Sequence, residues 1–125
     1  MSEGERMAMR LLLAAAGLIG AVGVAAAAGG SHSGESRNLG AIASICLAHG
    51  PALLALAILA GRGRLFLLAG LLLAGGTLVF AGDLGLREWR GQGLFTGAAP
   101  LAGLAMILGW LSVVLAAWAS RLAKN

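Results

Sequence analysis

Four long stretches without a formal charge divide this chain, and little lies between them. They run Leu11–Gly34, Asn38–Gly61, Leu65–Gly82 and Gly91–Ser120, and are 24, 24, 18 and 30 residues long. A helix rises 1.5 Å per residue, so about 20 residues cross ~30 Å of hydrocarbon. Each stretch is therefore long enough to span a membrane, the third barely. Strict alternation is absent and Leu and Ala dominate over β-branched residues, which argues against strands. The pattern predicts helices near 9–30, 39–60, 65–82 and 94–119. Short connections force neighbouring helices to alternate in direction. The expected fold is all-α: one integral membrane domain over residues 1–125, an antiparallel up-down-up-down bundle of four transmembrane helices.

Composition agrees and excludes most soluble folds. Hydrophobic residues are 59% of the chain and charged residues 11%, against about 45–50% and about 25% in soluble domains. The net charge of +4 would suit nucleic acid only if the basic residues clustered on one face. Here they punctuate the apolar runs, so they read as membrane anchors, and no nucleic-acid partner is expected. Arg6, Arg10, Arg62, Arg64, Arg121 and Lys124 fall on one side, and Arg37, Arg87 and Arg90 on the other. That bias places both termini in the cytoplasm. Trp89 and Phe95 are expected at the outer interface, and Phe66 and Trp118 at the inner one; Trp110 lies too deep for a belt and should pack on a helix or lipid. The first span carries Arg6, Arg10 and an Ala25-Ala26-Ala27 run like a signal peptide. Its apolar stretch exceeds the usual 7–15 residues of a signal core, which favours an uncleaved span.

In lipid, apolar surface gives helices little reason to associate, and close packing of small residues must contribute. Candidate contact positions are Gly17 and Gly20, with Gly17, Ala21 and Ala25 on one stripe; Gly70 with Ala74, and Gly75; and Ala99 with Gly103. Gly23, Gly76 and Gly109 belong to the same group.

Few residues are candidates for chemistry. His49 stands ~16 Å along its helix from Asn38, near mid-membrane, where an ionisable group is costly and defaults to a functional hypothesis. Pro51 follows it and removes a backbone donor, which predicts a kink near His49. Pro100 should disturb the fourth helix near Thr96 and Gly97, and Thr96 offers a hydroxyl to a freed carbonyl. His49, Pro51, Thr96 and Pro100 thus form a candidate intramembrane polar site. His32 lies in a Gly- and Ser-rich turn, and Asp83 ends the third span within reach of Arg87 one turn on or Arg37 across the loops. His32, Asp83 and Arg37 form a candidate outer-loop site. The lone Cys46 excludes an internal disulfide and a cysteine-cluster metal site, and reads as a small buried residue. Serines lack a local base and the context of a nucleophile elbow. No enzyme, cofactor or metal site is expected.

Ala15-Ala16-Gly17-Leu18-Ile19-Gly20-Ala21 leading to His32, Leu47-Ala48-His49-Gly50-Pro51-Ala52-Leu53-Leu54, Leu71-Leu72-Leu73-Ala74-Gly75-Gly76-Thr77-Leu78, and Ala99-Pro100-Leu101-Ala102-Gly103 with Gly109-Trp110 occur in this order over residues 11–120. In that order they resemble the family called domain of unknown function 423, the YgdD-like small four-span membrane proteins. Gly50-Pro51 interrupts the family's His-Ala-Leu segment, and no tyrosine stands near Val79 or Phe80. The resemblance implies a bacterial inner-membrane protein or a mitochondrial relative, and no residue roles. Three readings of function follow. The first is a non-enzymatic structural or accessory subunit bound to lipid and to partner helices or its own copies. The second is a minimal transporter, channel or proton conductor using His49. The third is a quinone- or haem-binding subunit.

Overall fold

The computed structural model describes residues 1–32 and 36–119. Four α-helices account for nearly all of them: α1 Glu3–His32, α2 Arg37–Leu59, α3 Arg64–Arg90 and α4 Ala98–Ala119. A 3-10 turn over Ala60–Arg62 joins α2 to α3, and no strand occurs among the described residues. All four helices are long and apolar enough to cross a membrane.

Helix ends depart from the sequence expectation, at α3 because charge does not end a helix. The third helix runs from 64 to 90 rather than 65 to 82. Asp83 and Arg87 stand one turn apart, where opposite charges support continuation, and Gly91 closes the helix at φ 78°, its N–H reaching the Arg87 carbonyl. Asp83 therefore lies inside α3 instead of ending it. Similarly, α1 extends through Gly29, Gly30, Ser31 and His32, where a turn was expected. Helix α2 starts where Ser36 caps it by accepting from the Leu39 N–H at 3.2 Å. Pro51 does not interrupt α2, and its ring is exposed. The fourth helix begins at Ala98, not 94, after Gly97 adopts φ 86°. Pro100 then occupies the first turn of α4, where a missing N–H costs nothing. It perturbs no helix interior.

The core lies where the helices cross. Leu12, Ile19, Leu53 and Leu73 are fully buried, with Phe66, Ile42, Cys46 and Met106 beside them. Helix α1 packs on α2, α2 on α3, and α3 on α4. Glycines set how close they come. A Cβ on Gly50 would lie 3.2 Å from the Gly20 Cα, and one on Gly23 2.9 Å from Leu47 Cγ. A Cβ on Gly70 would meet Leu12, one on Gly76 would lie 2.9 Å from the Ala102 carbonyl oxygen, and one on Gly109 would lie 3.2 Å from that of Ala69.

Of the expected contact glycines, Gly70 sits in a crossing, and Gly20 supplies backbone against Gly50. Gly17, Gly75 and Gly103 face open space. The stripe of Gly17, Ala21 and Ala25 is exposed, because the buried face of α1 is set by Leu12, Ala16, Ile19, Gly23 and Ala26. The outward faces are apolar, as at Leu101, Leu104, Leu108, Leu111 and Leu115 along α4.

These crossings predict opposite outcomes for two glycine substitutions. Gly76→Ala should lower unfolding stability by about 1–3 kcal/mol, the usual cost of overpacking, whereas Gly17→Ala should leave it unchanged or slightly higher. Unfolding midpoints in a mild detergent measure both, and equal midpoints would refute the close α3–α4 crossing.

Candidate functional site

His49 is held at the centre of the bundle by three helices. At the Gly20–Gly50 crossing the α1 and α2 backbones come together, and His49, the residue before Gly50, faces α3. There the imidazole is 5% exposed. Its Nδ1 lies 2.8 Å from Thr77 Oγ1 on α3, and its Nε2 accepts from Trp110 Nε1 on α4 at 3.0 Å. The Trp110 ring is tilted 51° to the imidazole, at 5.8 Å between centroids.

Donor chemistry fixes where the protons sit. An indole N–H only donates, so Nε2 carries a lone pair. The proton of the neutral ring is then on Nδ1 and points at Thr77 Oγ1. That oxygen, fully buried, accepts it and donates its own hydrogen toward Met106 Sδ at 3.5 Å. The order Trp110, His49, Thr77, Met106 uses every donor once. Among the described residues, no buried side-chain nitrogen or oxygen lacks a partner, which is what a polar group in an apolar interior requires.

Thr77, Trp110 and Met106 were not among the residues expected at this site. Thr96 and Pro100 were expected there, yet Thr96 is exposed in the connection before α4 and Pro100 stands in the first turn of that helix. Pro51 neighbours His49 in sequence but points outward. A signal for Thr77 existed. It and His49 are equally far in sequence from Gly63, so two helices joined there carry them to one height.

The other end of α3 holds a second polar group. Asp83 is wholly buried and accepts from Arg87 Nε at 2.9 Å and from the Leu94 N–H at 2.8 Å. This pins the connection between α3 and α4. Gly93 belongs to the same clasp, for a Cβ there would collide with Asp83 Oδ1. Glu88 reaches α2 instead, accepting from Ser36 Oγ at 2.8 Å and Asn38 Nδ2 at 3.1 Å. Of the expected outer-loop site, only Asp83 is engaged this way. Its pairing with Arg87 matches one of the two expected partners, while Arg37 is exposed and makes no ion pair with it. His32 is exposed at the last turn of α1. Arg121 and Lys124, used to orient the chain, lie outside the described residues.

Among the described residues, no three His, Cys, Asp or Glu side chains gather as metal ligands. No family model, curated protein or solved structure matches this chain.

The hydrogen-bond chain predicts the energetics of its members. Thr77→Val and Trp110→Phe should each destabilise the protein by about 1 kcal/mol. The double variant should depart from the sum, because both act through one ring. A double-mutant cycle on unfolding free energies tests this; two silent single variants would show that the bonds carry no weight.

Proposed function

We propose that this protein is a non-enzymatic structural or accessory subunit of a membrane. In this reading the chain crosses the bilayer four times, up-down-up-down, with both termini cytoplasmic. Its apolar outer faces meet lipid and the helices of partners or further copies. The observation that carries the reading is the occupancy of His49. His49, at mid-height of the bundle, spends both ring nitrogens on neighbouring helices. It joins α2, α3 and α4 as a strut, and no nitrogen is left over for a ligand.

The direction of the helices is supported by which residues meet. Gly23 lies against Cys46 and Leu47, Gly50 against Gly20 and Ala16, and Gly61 against Met1 and Glu5. Positions thus rise along α2 as they fall along α1. Gly76 with Met106 and Gly109 with Ala69 follow the same rule for α3 and α4. Arg6, Arg10, Arg62 and Arg64 gather at one end, against Arg37, Arg87 and Arg90 at the other, which favours the first end on the cytoplasmic side. Membership of the domain of unknown function 423 family, and with it a bacterial inner-membrane location, belongs to this proposal and rests on the four ordered sequence segments.

Two measurements test the proposal. Tags at both termini should be reachable only from the cytoplasm, and tags on opposite faces would overturn the topology. His49→Ala should lower the unfolding midpoint and leave ion and proton leak in reconstituted vesicles unchanged. A wild-type flux abolished by His49→Ala, with stability intact, would replace the structural role with transport.

A further inference from the structure

The end of the bundle where α1 begins and α2 turns into α3 carries charge that the fold leaves open. Arg6 donates to the Met1 carbonyl oxygen at 2.9 Å. Arg64 and Glu5 line one recess of about 420 Å³, floored by Ala60, Gly61 and Gly63. Facing the same space, they form no salt bridge; among the described residues the ion pair is Arg87 with Asp83, at the far end of α3. Glu5 Oε1 accepts a long bond of 3.4 Å from Ser2 Oγ. Its Oε2 borders Gly61, where a Cβ would sit 3.4 Å from it and 3.2 Å from Met1 Sδ, so the missing side chain leaves room for both. Beyond Gly63, Arg64 also borders a second recess of about 230 Å³ against Leu65, Phe66, Ala116 and Ala119. Arg64 therefore stands on the boundary between a space with a carboxylate and a space with an apolar wall.

We propose that this end binds a phosphoethanolamine lipid, its phosphodiester on Arg64, its ammonium on Glu5 and the start of an acyl chain beside Phe66. The inference rests on the membrane-spanning reading above. Two opposite charges that share a recess without closing on each other match a zwitterion that reaches both. A guanidinium presents several donors to phosphate oxygens, and a primary ammonium donates charge-assisted hydrogen bonds to a carboxylate. A choline head has no N–H to give Glu5. A phosphoglycerol head brings an anion without a cation, so Glu5 repels it. Because Arg64 is exposed and Glu5 partly so, the selectivity is a few-fold rather than absolute.

Native mass spectrometry of the full chain tests this, using phosphatidylethanolamine, phosphatidylcholine and phosphatidylglycerol with identical acyl chains. Bound phosphatidylethanolamine should exceed each of the others by roughly threefold, the scale of one exposed ion pair. Glu5→Gln should erase the advantage over phosphatidylglycerol, and Arg64→Gln should lower all three adducts. Arg10→Gln, outside the recess, should leave the pattern intact. Equal binding of the three lipids by the wild type overturns the site, as does an equal loss from Arg10→Gln and Arg64→Gln, which marks diffuse attraction to basic residues. Alkaline carbonate extraction separates the two levels of failure. A chain released to the supernatant fails the membrane reading, whereas a chain retained in the pellet without lipid preference fails only this site.

Discussion

Three helices share one imidazole, and the arrangement of the bundle depends on that sharing. Buried polar atoms in an apolar surrounding cost free energy unless each finds a partner. A ring with two nitrogens and one proton demands one acceptor and one donor at fixed angles. Thr77 and Trp110 supply them from different helices. Sliding α3 or α4 by one turn would move a partner by about 5.4 Å and strand a nitrogen. The polar contacts therefore choose one register among the many that interchangeable Leu and Ala side chains would tolerate.

The glycines make that register reachable. Gly50 lets α2 lie on the backbone of α1 at Gly20, and Gly76 and Gly109 let α4 lie on α3. At such distances dispersion between backbones accumulates, and in lipid this replaces the hydrophobic drive that a soluble core uses. Close packing and the histidine contacts thus act on different degrees of freedom: the first sets separation, the second sets offset along the axis.

Much of the architecture was legible in the uncharged stretches, since their length and apolarity alone point to four helices long enough to cross a membrane. Their ends were not. A rule that stops helices at charges fails at Asp83 and Arg87, whose spacing favours continuation, and a start at 94 overlooks the positive φ of Gly97 just before Ala98. Gly17 and Gly70 look alike in a chain with 21 glycines; only the crossing partner tells them apart, Leu12 for Gly70 and open space for Gly17. His49 was identifiable from its depth. Its true neighbours required knowing that the turn at Gly63 pairs heights, and that Trp110, expected only to pack on a helix or lipid, donates its N–H inward.

The one-way order of donors has a bearing on charge movement. A Grotthuss wire works when each member can both give up and take on a hydrogen, so that the whole row can reverse. Here the row starts at an indole, which offers no lone pair to receive one, and stops at a thioether, which has none to pass along. While intact, the row from Trp110 to Met106 is an insulator made of hydrogen bonds, and any conduction through it would first have to break it.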